Sequence, residues 1–289
     1  MMKKYRSTLA IALLTAIAIL GTLGFGAQNL AAENAGFSLD TLKGEYILTE
    51  HGTAGAASGV AAIGRMTFDG NGDVFGWMTV QSAGSNATTT FTGTYAVSPD
   101  GSGTLKLIHT PPVPVADGAE AMTTTATYKF LAFGAGSAGL DLRAIRSENG
   151  LAVSADLTRS QLGTVASGLK GAYIFSEEGT LGAATALAGL GLITFDGNGR
   201  VSGWETVQVA QRTLVTTFVG TYGFESDGIG TMNLVHVLPG LVQDGEEPLT
   251  ASAKYRFLVK GDANGVTELR AIRAENGVAV TSTFKSQSR

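Results

Sequence analysis

The chain has 289 residues, with 20 Lys and Arg against 24 Asp and Glu for a net charge of −4; 15% of residues are charged and 40 are glycine. So little basic charge argues against a nucleic-acid partner, and the absence of cysteine excludes disulfides and a lipid-bearing cysteine. At 44% apolar residues the composition is that of a folding chain rather than a disordered one.

The N-terminus reads Met1-Met2-Lys3-Lys4-Tyr5-Arg6, then an uncharged apolar run, then small residues through Gly24-Phe25-Gly26-Ala27. This order predicts a secretory signal peptide over residues 1–27, cleaved near Gly26 or Ala27, with Ala32 or Ala35 as alternative sites. The competing reading is an uncleaved anchor, since residues 7–26 are nearly long enough to span a bilayer. Cleavage removes three cations and no acid, which takes the mature chain from −4 to −7. Export without cysteine points to a bacterial protein that is secreted, periplasmic or at the cell surface, with no stable membrane span left after cleavage. Residues 28–41 read as an N-terminal linker.

From residue 42 onward, segments 44–50, 60–68, 74–81, 89–97, 104–109, 126–132, 140–146 and 151–157 alternate or run apolar over strand-like lengths. Hairpin chemistry separates them, as in Asp69-Gly70-Asn71-Gly72, Pro99-Asp100-Gly101 and Glu148-Asn149-Gly150. Alternation places Phe91, Gly93, Tyr95 and Val97 inward with Thr90, Thr92 and Thr94 outward, and Tyr128 and Phe130 inward with Lys129 outward. The third strand is ambiguous, because Trp77, Thr79 and Gln81 share one face while Val74, Gly76 and Val80 share the other.

The pattern then repeats. Leu42-Lys43-Gly44 returns as Leu169-Lys170-Gly171, Thr67-Phe68-Asp69-Gly70 as Thr194-Phe195-Asp196-Gly197, and Trp77 as Trp204, each 127 positions on. The register runs without a gap, and a unit of about 120 residues is a domain rather than a solenoid repeat. The expected architecture is all-β: two tandem antiparallel eight-stranded up-and-down barrels at 42–160 and 169–289, joined by a linker at 161–168. A single sixteen-stranded outer-membrane barrel is the competing arrangement.

Gly44-x-Tyr46 and Gly171-x-Tyr173, together with a late arginine at Arg146 or Arg273, resemble the lipocalin and avidin-like (calycin) small β-barrels. That family uses Gly-x-Trp and stacks the late arginine on the ring to close one barrel end; tyrosine stands here instead. Phe91-Thr92-Gly93-Thr94-Tyr95 is also similar to an avidin strand, though it lies later along the unit. The resemblance implies a barrel that holds a small molecule. It does not extend to biotin, because no avidin binding-loop pattern is visible.

Among polar residues repeated in both units, Glu50 with Glu177, His109 with His236 and Arg146 with Arg273 fall on inward faces. If they converge at one mouth, they surround an apolar pocket suited to a small ligand with a polar or anionic head. The candidate ligand-binding set adds the inward aromatics Tyr46, Tyr95 and Tyr128 and their copies Tyr173, Tyr222 and Tyr255. The competing reading is a buried Glu–Arg pair and a hydrogen-bonded histidine that close one barrel end. Divergent pairs, such as Met78 with Glu205, mark either specialised pockets or drifted surface. Asp117 and Glu120, repeated as Asp244 and Glu247, fall in a Pro-rich connection that reads as a solvated loop, the alternative being a specificity loop at a barrel mouth.

No metal or cofactor is expected. Asp69-Gly70-Asn71-Gly72-Asp73 imitates the start of a calcium loop, but its twelfth position is Val80 and Asp73 becomes Arg200, so it reads as a turn. One histidine per unit without a ligand partner is too little for zinc; His51 becomes Glu178. Nor is there a nucleophile elbow, and no catalytic residue is assigned. The leading expectation is an exported non-enzymatic protein binding a small apolar or amphipathic ligand or a surface partner. The alternatives are a structural matrix, coat or adhesion component, and a cyclase or isomerase using His109 or Glu50 as acid or base.

Overall fold

The computed structural model describes residues 36–55, 58–82, 85–110, 123–134, 140–160, 169–182, 185–225, 229–238, 250–262, 265–275 and 278–287. The expected signal peptide, the 161–168 linker and the loop acids Asp117, Glu120, Asp244 and Glu247 lie outside these residues.

A single 3-10 turn, Asp40–Leu42, leads into eight strands: β1 (Gly44–Ala54), β2 (Ser58–Phe68), β3 (Asp73–Ser82), β4 (Ser85–Val97), β5 (Ser102–Thr110), β6 (Thr124–Phe133), β7 (Asp141–Arg146) and β8 (Leu151–Arg159). Eight more follow: β9 (Lys170–Leu181), β10 (Thr185–Asp196), β11 (Arg200–Val209), β12 (Arg212–Phe224), β13 (Gly230–Val237), β14 (Thr250–Asp262), β15 (Gly265–Arg273) and β16 (Val278–Ser286). Each set pairs in sequence order and closes on itself, so the chain forms two eight-stranded barrels and not one of sixteen. Closure is antiparallel: Tyr46 stands opposite Met66 on one side and Arg159 on the other, and Tyr173 opposite Ile193 and Ser286. Among the described residues no helix is long and apolar enough to cross a membrane.

Tight turns at one end follow from local chemistry. Asp69 Oδ1 accepts the backbone N–H groups of Asn71, Gly72 and Asp73 at 2.7, 3.1 and 3.0 Å, and Asp196 repeats the motif with Asn198 and Arg200 at 2.6 and 2.9 Å. These carboxylates are consumed by the turn, which needs a left-handed residue supplied by Gly70 and Gly197, both at φ 87°.

Strand alternation sends Tyr46, Phe68, Phe91, Leu107, Tyr128 and Leu157 into one core, and Tyr173, Phe195, Phe218, Leu234, Tyr255 and Phe284 into the other. The third strand resolves accordingly: Val74 and Met78 join the core, and Trp77, Thr79 and Gln81 point out. Of its outward residues Thr79 and Gln81 are nevertheless buried and Trp77 is half-buried, where the second barrel covers them, while Phe75 at the far end of the same face is 52% exposed. Ile47, Ala61, Ile63 and Trp77 on the outside of β1–β3 pack against Leu258, Ile272 and Ala279 on the outside of β14–β16. The Gln81 amide donates to the Glu275 carbonyl across this junction, and Lys260–Asp141 (3.9 Å) and Arg270–Asp156 (4.0 Å) flank it.

Candidate functional site

The candidate residues separate into two groups along the barrel axis. The β2–β3 and β4–β5 turns lie at one end, with the 3-10 turn. Here the Tyr46 and Tyr95 rings meet Phe68 edge-on at 5.1 and 4.7 Å, and Tyr95 Oη donates to the Leu39 carbonyl (3.0 Å) and accepts from Gly70 N (3.1 Å). In the second barrel Tyr173 and Tyr222 flank Phe195 and donate to the carbonyls of Val266 (3.1 Å) and Leu169 (2.6 Å). Tyr95, Tyr173 and Tyr222 thus tie the entering chain and the turns to the core. Tyr46 Oη has no partner among the described residues, and burial pushes its hydroxyl up to about 12.

The other group gathers toward the end carrying the β7–β8 turn. Tyr128 Oη on β6 donates to Glu50 Oε1 on β1 in a short hydrogen bond inside the barrel. The Arg146 guanidinium lies 5.7 Å from the Tyr128 ring centroid and reaches Glu148 Oε2 at 3.3 Å, while Glu148 Oε1 accepts the Thr127 N–H. The late arginine therefore covers Tyr128 of β6, not the first-strand Tyr46 that the small-barrel resemblance implies. Arg273 does the same, 5.7 Å over Tyr255. The reason is positional: Arg146 stands opposite Tyr128 in the β6–β7 pairing, whereas the residue opposite Tyr46 is Arg159.

His109 on β5 completes this second group in the first barrel, edge-on to Phe91 at 5.5 Å and 3.3 Å from Thr89 Oγ1. Burial, and after it the Arg146 charge, pushes its imidazole down to about 4, so it is neutral near pH 7. Burial raises the Glu50 carboxyl, opposed by the Tyr128 hydrogen bond and Arg146.

The second barrel repeats this constellation with one acid more. Glu177 Oε2 accepts from Tyr255 Oη (3.1 Å) and Ser282 Oγ (3.4 Å), and Arg273 bonds Glu275 at 3.2 and 3.4 Å. Glu205 on β11, the copy of Met78, points into this barrel and places Oε1 3.2 Å from His236 Nδ1; Thr216 Oγ1 lies 3.4 and 3.3 Å from the two. Burial first, and the neighbouring Glu205 second, lift Glu177 to about 7. Sequence reasoning left Glu205 undecided between pocket and surface. The available signal was an acid replacing an apolar residue on the face shared with Gly203 and Val207.

What remains open is a set of buried polar atoms. Glu50 Oε2, Glu177 Oε1, Glu205 Oε2 and His236 Nε2 have no hydrogen-bond partner among the described residues. Such atoms are costly unless something donates to them or, for His236, accepts or donates in turn. Because Arg146 and Arg273 are engaged by Glu148 and Glu275, the unmatched capacity of these groups in their ionised form is for hydrogen-bond donors rather than for an anion. Among the described residues no group of three or more acids and histidines is placed to hold a metal ion.

Comparison with protein-family models and with curated proteins gives no match. Among solved structures the chain is similar to the isotype 1 transferrin binding protein B (TbpB) from serogroup B Neisseria meningitidis, at 11% identity over 84% of this chain and 76% of that one. The TM-score of 0.26 is too low to carry an argument about function.

Proposed function

We propose that this is an exported, non-enzymatic binding protein whose barrels each receive the donor-bearing head of a small amphipathic ligand at the Glu–Tyr–Arg–His end. The observation that carries this reading is the set of unmatched buried carboxylate oxygens, Glu50 Oε2, Glu177 Oε1 and Glu205 Oε2. An amine or hydroxyl head satisfies them, and its apolar part lies along inward side chains such as Leu107 and Leu234. The likeness of Gly44-x-Tyr46 and Gly171-x-Tyr173 to calycin barrels supports the same reading. The extra acid makes the second barrel the stronger site for an amine.

Thermal shift with dodecylamine and dodecanoate tests it. Dodecylamine is expected to raise Tm in the full chain, less so after Glu177→Leu with Glu205→Met, and dodecanoate is not. Equal response to both, or no response together with a bare mass in native mass spectrometry of protein from its own source, would overturn it.

A second reading, a structural or adhesion component acting through its outer faces, is favoured by the large outward apolar residues left exposed, among them Trp204, Val219 and Leu131.

A further inference from the structure

The junction between the barrels uses different strands on its two sides, and both sides exist twice. The first barrel contributes the outside of β1–β3, and the second the outside of β14–β16, which is equivalent to β6–β8. A contact of this kind is heterologous, so it leaves the centre of one copy of each side open, on β9–β11 of the second barrel and β6–β8 of the first, although Glu178 and Thr180 of β9 and Asp141 and Asp156 of β7 and β8 already border the internal junction.

Those copies keep the interface side chains and leave them uncovered. Ile47 and Ile63 are 1% and 2% exposed in the junction, while their copies Ile174 and Leu190 are 48% and 57% exposed. Trp77 packs into the junction; Trp204 is 46% exposed. On the other side Leu258 and Ile272 are fully buried, and their copies Leu131 and Ile145 are 53% and 59% exposed. An outward barrel face facing water should carry polar residues, as Thr90, Thr92 and Thr94 do. Instead, two apolar patches persist at the two positions that the internal junction shows to be complementary.

We propose that copies of this chain associate head to tail, the Leu131–Ile145–Ala152 face of one molecule seating on the Ile174–Leu190–Trp204 face of the next and repeating the internal junction between molecules. A groove of about 550 Å³ bordered by Leu131, Arg143 and Ile145, and on its far side by His51 and Glu178 of the internal junction, opens on the Leu131 face and offers room for the Trp204 ring. His51 and Glu178, 3.7 Å apart across the internal junction, are each other's copies and are already engaged with one another within the chain, so the intermolecular contact rests on the apolar patches.

The repeat is imperfect, and the differences set its strength. The Arg270–Asp156 pair becomes Arg143 facing Thr283, and Lys260–Asp141 becomes Phe133 facing Glu268, so both flanking ion pairs are lost. Gly59, where an added Cβ would meet Thr180 Oγ1 at 2.0 Å and Ala279 Cβ at 2.8 Å, becomes Ala186, so the intermolecular contact stands slightly further off there. Association between molecules is accordingly weaker than the internal junction and reversible.

This inference does not rest on the ligand reading; it supplies the partner for the second one. The test is sedimentation of the purified full chain over a range of concentrations, with Leu190→Glu and Ile145→Glu variants that each disable one exposed face and retain native circular dichroism. The wild type is expected to grow beyond a dimer as concentration rises, or to stop at a closed ring. Each variant alone stays monomeric, and an equimolar mixture forms a one-to-one dimer and nothing larger. A wild type that remains monomeric at millimolar concentration overturns the proposal. So does either variant that self-associates as the wild type does, since that contact would use another surface.

Discussion

Glu177 and Glu50 are equivalent residues in unequal surroundings, because the second barrel adds Glu205 where the first has Met78. Glu177 titrates near 7 rather than at 4.5, so the folded chain holds this proton more tightly than the unfolded one. The associated stability is complete below pH 4.5 and is lost as pH rises through 7. Glu177→Gln should match the wild type at pH 4 and exceed it by up to about 3 kcal/mol at pH 8, read from denaturant midpoints. Glu205→Met should shift the Glu177 titration downward, which carboxyl NMR would register; an unmoved midpoint would mean that burial alone sets it. His109 works with the opposite sign. Its imidazole is depressed from 6.5 to about 4, so its contribution is present above pH 6.5 and lost as pH falls through 4. His109→Gln should therefore flatten the acid limb of the stability profile, while Glu177→Gln flattens the neutral limb.

At the scale of strands, the abundance of glycine has a steric use. Gly103 stands opposite Phe130, and Gly230 opposite Phe257, across the first barrel's β5–β6 pair and the second's β13–β14 pair. A Cβ on either glycine would come within 2.1 Å of the facing ring, so the ring lies down over the bare backbone. Gly230→Ala should destabilise by about 1–3 kcal/mol, and Phe257→Leu in the same chain should recover part of the loss, as a double-mutant cycle would show. Alternation revealed the strands to within a few residues and put Glu50, His109, Tyr128 and Arg146 on the inner side. It could not give height along the axis, which depends on the stagger of the closed sheet, so Tyr46 and Tyr95 were grouped with residues nearer the other mouth. The third strand was illegible for a different reason: Trp77, Thr79 and Gln81 are outward yet covered, and a segment buried on both faces carries no period of two.

For the whole molecule, duplicated positions have unequal costs. Ile63→Glu puts a charge into the closed junction and should cost several kcal/mol, whereas the equivalent Leu190→Glu should change stability of the monomer by less than about 0.5 kcal/mol. Thermal melts of the two at low concentration would check this; equal losses would mean that the barrels do not rest on each other through Ile63. The two tryptophans report separately on the two levels of association. Trp77 is shielded within a single chain, and Trp204 is expected to be open to acrylamide in dilute solution and protected as concentration rises.

Each sheet joins its first strand to its last, and this limits how the chain can grow. Among the described residues no strand is left with an unpaired edge to recruit a foreign strand, so for these sheets the cross-β route to aggregation is shut while the barrels stay folded. Enlargement must then proceed through side-chain patches, which can be weakened or strengthened one substitution at a time, and an assembly held by such patches comes apart on dilution.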